Sequence, residues 1–193
     1  MKKSIFAFGL LATFALFSFG IAIDSASVNT ERSVINWKGY KVTGEHSGTI
    51  NLQNGELKFE NDVLVGGGFE IDMRSMKVTD IEGEWAQKLE GHLKSGDFFG
   101  VDKYPVAKFV VTKAVSKGTP GDYKVIGNLT IKETTKEIRF YAHLNEDRKS
   151  ASADITIDRT DFDVRYGSGS FFENLGDKTI YDEFELNVNL VVD

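Results

Sequence analysis

The side chains that could do chemistry in this chain are few and scattered. There is no cysteine, so thiol catalysis, a disulfide framework and lipid attachment at a cysteine are all excluded. The three histidines, His46, His92 and His143, lie on separate stretches with no metal-ligand spacing. Gly167-Ser168-Gly169-Ser170 does not match the spacing of a nucleophile elbow and reads as a turn. Asp158, Asp161 and Asp163 lack the glycine and terminal glutamate of an EF-hand loop. They read as a solvated loop paired with Arg159. Gly66-Gly67-Gly68 would cradle a phosphate only ahead of a helix. Inside a strand pattern it reads as a bulge or a close ligand approach. The residues therefore point to no catalytic centre, no metal site and no cofactor, and the chain reads as a non-enzyme.

The elements around these residues are strands. Ile35, Trp37 and Gly39 alternate with Val34, Asn36, Lys38 and Tyr40, which is the period of a half-buried strand. His46, Gly48, Ile50 and Leu52 alternate with Ser47, Thr49 and Asn51. Asn54-Gly55 then gives the strongest short hairpin signal in the chain, with Leu57 and Phe59 on the return strand. Val65, Gly67, Phe69, Ile71 and Met73 share one face of the next strand. Further alternating runs centre on Phe109, Val125, Phe140, Ile155 and Leu186. One helix is expected over about residues 84–94, where Trp85, Leu89 and Leu93 recur every four residues as an apolar stripe.

Strands apolar on one side and polar on the other are antiparallel, with one wet face and one buried face. Eight or nine of them in one domain must deal with their exposed edges. Closure into a barrel does so, and a β-sandwich is the competing answer. Trp37, His46, Phe69, Ile71, Phe109, Phe140 and Leu186 fall on the inward faces. Large aromatics there are mixed with glycines and alanines, and a barrel of eight strands either fills with side chains or holds one small ligand. Periodicity leaves both readings open. In the hollow reading these seven residues line the ligand. His46 is then either a satisfied core group or a contact for a head group.

The N-terminus reads as a signal peptide over residues 1–22. Lys2 and Lys3 precede an apolar run, and Gly20 and Ala22 have the small-residue spacing of a cleavage site. The apolar run is near the lower length limit for a membrane span, and no basic stop-transfer cluster follows it. One domain, residues 23–193, is then left in the periplasm or secreted. Loss of the two lysines takes the net charge from −6 to −8. An acidic chain without a basic stripe does not suit nucleic acid or an anionic bilayer surface.

The order of short motifs is more specific than any one of them. His92-Leu93-Lys94-Ser95 leads to Asp97-Phe98-Phe99, then to Lys103-Tyr104-Pro105 and Phe109. Gly127-Asn128-Leu129-Thr130-Ile131-Lys132 follows, then Thr135-Lys136, Ile157-Asp158-Arg159 and Asp161-Phe162. Together with Gly44, His46, Gly48 and Ile50, this order resembles the YceI family of exported bacterial proteins over about residues 33–192. The resemblance implies an all-β, closed, lipocalin-like antiparallel barrel of about eight strands with one short helix. It also implies an elongated apolar cavity for an isoprenoid, quinone-like or other lipid. Reversible pick-up and delivery of such a lipid would bring transient contact with a membrane. The alternative is a stress-related or interaction module with a solid core. An enzyme acting on an apolar substrate is a third reading that no residue spacing supports. Ligand identity and oligomeric state stay open.

Overall fold

The alternating runs fold as nine strands and one helix in the computed structural model, which describes residues 23–193. In chain order these are β1 (Ile23–Ser27), β2 (Val34–Lys41), β3 (Gly44–Glu60), β4 (Val63–Val78), α1 (Gly83–Lys94), β5 (Val106–Ser116), β6 (Asp122–Ile131), β7 (Thr134–Leu144), β8 (Ser150–Asp158) and β9 (Ile180–Val191). The expected signal peptide lies outside the described residues.

Every neighbouring pair from β2 to β9 is antiparallel, and β9 returns to pair with β2. The result is a closed up-and-down barrel of eight strands. No long edge is left to pair with another chain, which is the physical advantage of closure. β1 pairs with the far half of β3 and extends the wall at one end. That end, the floor, is sealed where Val28 bridges Val192 and Asp193 N–H donates to Ser27 O. At the opposite end, the mouth, α1 follows β4 and the long segment after β8 crosses to β9.

Two sequence expectations are corrected by the packing. Asn54-Gly55 makes no hairpin, because β3 runs through it as one strand of 17 residues. Asn54 and Gly55 pair with Glu70 and Phe69, and Asn54 Nδ2 donates to Glu70 Oε2 at 2.7 Å. The Phe69 ring lies where a side chain at residue 55 would project. Glycine is thus needed here for close approach and not for a turn. The chain reverses instead at Asn61-Asp62, with φ of 49° and 65°. Two successive left-handed residues make the tight hairpin whose twist matches the strands. The second correction concerns Val65. Phe59 pairs with Leu64 and Lys58 with Gly66, so Val65 bulges out of register and Leu64 is the buried residue.

The helix is present, but its stripe is not buried. No residue of α1 is buried, and Trp85 at the head of the stripe is 71% exposed. The barrel interior carries the core instead, with Phe59 and Phe162 its most completely enclosed rings. β7 and β8 pair only over Tyr141–Leu144, and above that point the turn at Arg159–Phe162 packs against β7.

Candidate functional site

The inward side chains enclose two apolar chambers stacked along the barrel. The outer one, of about 470 Å3, opens beneath α1 at the mouth. The inner one, of about 130 Å3, lies toward the floor. Ile35, Ile71, Leu129, Ile157 and Leu186 line both and form the waist between them. Trp37, Phe69, Ile71, Phe140 and Leu186 sit on the inward face yet are only half-buried, because their free surface faces the chambers.

The structure brings the seven expected site residues to this interior. Trp37 and His46 line the outer chamber, Phe69, Phe109 and Phe140 the inner one, and Ile71 and Leu186 the waist. The three phenylalanines form one aromatic cluster, with ring centroids 6.4 Å apart for Phe69–Phe109 and 5.5 Å for Phe109–Phe140. Inward glycines do not themselves make the space. At residue 48 a Cβ would overlap the Lys77 carbonyl and the Trp37 ring, and at residue 127 it would overlap the Phe109 ring. These glycines are recesses that let aromatic rings lie flat on the wall. Trp37 is fixed further by its Nε1, which donates to Lys77 O at 3.2 Å.

Polar groups gather only at the mouth. His46 Nδ1 lies 2.8 Å from Asp80 Oδ2, and Ser47 N–H donates to Asp80 Oδ1 at 3.0 Å. Desolvation works to raise the Asp80 carboxyl, but these two contacts outweigh it and hold the group below the ordinary carboxylate range. His92 on α1 meets Tyr166 edge to face, with centroids 4.5 Å apart, so helix and crossing segment touch across the opening. His143 is half-exposed, 2.7 Å from Asp122, and borders the inner chamber far from the polar rim of the outer one.

Arg159 is the residue that sequence reasoning misplaced. It was expected to pair on a solvated loop with Asp158, Asp161 and Asp163, but it is 3% exposed. Its guanidinium donates to the carbonyls of Val164, Ile180 and Tyr181 at 2.7, 3.1 and 3.1 Å, and Asp182 is its carboxylate partner at 3.4 Å. Burial lowers its pKa from the ordinary value, against the pull of Asp182 and Asp158. The three aspartates disperse. Asp158 caps the turn through Thr160, Asp161 pairs with Lys136, and Asp163 pairs with Arg165. The missed signal was the apolar context of Ile157 and Phe162 on either side, which leaves a long planar cation facing inward. Arg159 thereby ties the crossing segment to β9 at the rim of the outer chamber.

A groove of about 490 Å3 on the outer wall, between Tyr40, Asp158 and Glu185, is polar and open. Its Tyr40 and Ser170 hydroxyls are already engaged, with Glu185 and Asp182, and it is open to solvent, so the enclosed chambers are the better ligand site. Among the described residues no cluster of three or more metal-ligating side chains occurs.

Comparison with known proteins agrees with this architecture. The family model of the YceI-like domain matches residues 21–192. A UPF0312 protein of Vibrio campbellii is 32% identical over 148 residues, which is 74% of each chain. Among solved structures, BcnA of Burkholderia cenocepacia superposes with a TM-score of 0.67 at 20% identity, over 86% of this chain and 99% of its own. A polyisoprenoid binding domain from Saccharophagus degradans superposes with a TM-score of 0.61 at 12% identity, over 90% of this chain and 99% of its own. At such identities the likeness of these two structures is one of fold.

Proposed function

This chain belongs to the YceI-like domain family, and from that premise we propose that it holds a long apolar ligand inside the barrel. An isoprenoid or quinone-like lipid, carried or stored in the exported compartment, is the reading. The observation that carries it is the pair of stacked apolar chambers with polar groups only at the open end. The outer chamber by itself falls in the range of small-molecule sites, roughly 300–1,000 Å3, and the inner one extends it toward the floor. A tail would lie past the waist among Phe69, Phe109 and Phe140, with the head group near His46, His92 and Arg159. The Saccharophagus degradans domain, whose described ligand class is polyisoprenoid, supports the same ligand class by analogy of fold.

The energetics suit a carrier. Burial from water gains roughly 0.8 kcal/mol per CH₂, so a forty-carbon chain would gain roughly 30 kcal/mol gross. That exceeds the ceiling of about 18–21 kcal/mol for any non-covalent complex. Water is therefore the wrong reference, because such a lipid otherwise sits in a bilayer that is equally apolar. The barrel need only match the bilayer, and a few polar groups at the mouth then set specificity.

The test is mass spectrometry of lipid extracted from protein purified from its native host. A near-stoichiometric isoprenoid-type lipid is expected, and delipidated protein should melt higher when a quinone is added. Ligand at 100 times its dissociation constant stabilises by about 2.7 kcal/mol, a readable shift. Empty extracts with no shift would leave the interaction-module reading in its place. N-terminal analysis of the exported protein is expected to find Ile23 first.

A further inference from the structure

We infer that the rim of the barrel mouth is a docking surface for a lipid bilayer, made by Trp85 on α1 and by Phe171 and Phe172 on the segment that crosses to β9. Trp85 is 71% exposed, Phe172 50% and Phe171 46%. Exposed large apolar groups in a set are a mark of an interaction site.

Three observations select a bilayer as the occupant. The first is continuity with the chamber. Leu89, His92 and Leu93 line the outer chamber, and Trp85 stands one turn before Leu89 on the same helical stripe. The stripe thus begins outside the molecule and runs into the mouth. On the facing side Tyr166 touches His92, and its neighbour Arg165 packs over Phe171. The second is residue type. Trp and Tyr collect at membrane interfaces, and Trp and Phe are typical of the face that an interfacial segment inserts. The third is charge placement. Lys88 Nζ lies 4.9 Å from the Trp85 ring and Arg165 lies 4.5 Å from the Phe171 ring. A ring that inserts beside a cation that reaches back to phosphate is the arrangement of an interfacial anchor. The whole chain is acidic at −6, so binding is expected to work through insertion on zwitterionic lipid and not through attraction to anionic lipid.

Docking itself does not depend on the cargo, whereas its use in loading and release rests on the carrier reading above. The experiment measures co-sedimentation of the delipidated exported chain with phosphatidylcholine vesicles. Tryptophan quenching by brominated phosphatidylcholine is read on the same samples. The comparison is with Trp85→Ser/Phe171→Ser/Phe172→Ser, none of which lines a chamber. The variant should lose vesicle partitioning by roughly tenfold or more, the effect of withdrawing one large apolar side chain from lipid. It should keep its melting temperature and the lipid it carries when purified from the host. Absence of wild-type binding, or equal binding by the variant, overturns the inference. So does binding confined to phosphatidylglycerol vesicles and abolished by about 0.5 M salt, where the screening length is only a few Å. Self-association of the wild type without vesicles, lost in the variant, would also overturn it and make the rim an interface between copies. Vesicle docking by the delipidated chain, together with no extractable lipid in protein purified from the host, would sink the carrier reading alone.

Discussion

The two ends of the barrel are built from the same strands and behave as opposites. At the floor, Phe59 is 1% exposed, Leu57, Leu64, Leu190 and Val192 are buried with it, and the Arg148 guanidinium covers its ring at 5.2 Å. The barrel is sealed there by backbone bonds from Asn29 to Val191 and from Asp193 to Ser27. At the mouth, α1 contributes no buried residue, the polar pair His46–Asp80 is half-open, and aromatic rings face outward. The floor therefore supplies cooperativity and the mouth supplies access. A barrel that must take up and release an apolar molecule can be tightly packed at only one end. Regions that open are drawn from the least-packed part of a fold.

Substitution along the barrel axis tests this contrast. The largest effect is expected at the floor. Phe59→Ala should cost about 3–5 kcal/mol in chemical denaturation, as for any filled core site. A loss under about 1 kcal/mol would show that the floor is as loose as the mouth. Next is Gly48→Ala on the upper wall, where the added methyl has only the Lys77 carbonyl and the Trp37 ring to displace. Overpacking of about 1–3 kcal/mol is expected. Trp37 fluorescence should shift with it, since that ring must leave its bond to Lys77. Phe109→Ala, between the two ends, should cost less than the filled-site value, because one side of the ring already faces a chamber. It should also change the amount of lipid retained. Full core-sized loss with lipid unchanged would mean that the inner chamber is packing space and not a site.

The smallest effect is expected at the mouth and depends on pH. The Asp80 carboxyl is held below its ordinary value in the folded state, so its contribution is present above the unfolded carboxylate pKa, near 4. It is lost as pH falls through the lower folded value. Asp80→Asn should thus flatten the acid limb of the melting temperature below about pH 4 and cost at most about 1 kcal/mol at neutral pH. Loss of bound lipid from this variant at neutral pH would promote the His46–Asp80 pair from rim support to head-group contact.

Much of this molecule was written locally. Period-two alternation fixes which side chains of a strand share a face, so Trp37, Phe69, Phe109 and Leu186 could be assigned inward from their neighbours alone. The helix boundary was legible to within a residue, since 3.6-residue spacing is equally local. Only the tertiary structure decided the rest, because each remaining point depends on what lies across a gap in the chain. Asn54-Gly55 has the composition of a turn, but Phe69 on β4 and Val28 lie against it and keep it extended. The bulge at Val65 moved burial to Leu64 because β3 and β4 must curve to close, which neither strand's pattern contains. Arg159 looked like a surface charge until the Ile180 and Tyr181 carbonyls, from a distant stretch of chain, met it in the wall beside the Val164 carbonyl. The chambers are the clearest case. A cavity is the volume that side chains from eight strands fail to fill, and that difference exists only once closure and register have set how far apart those side chains stand.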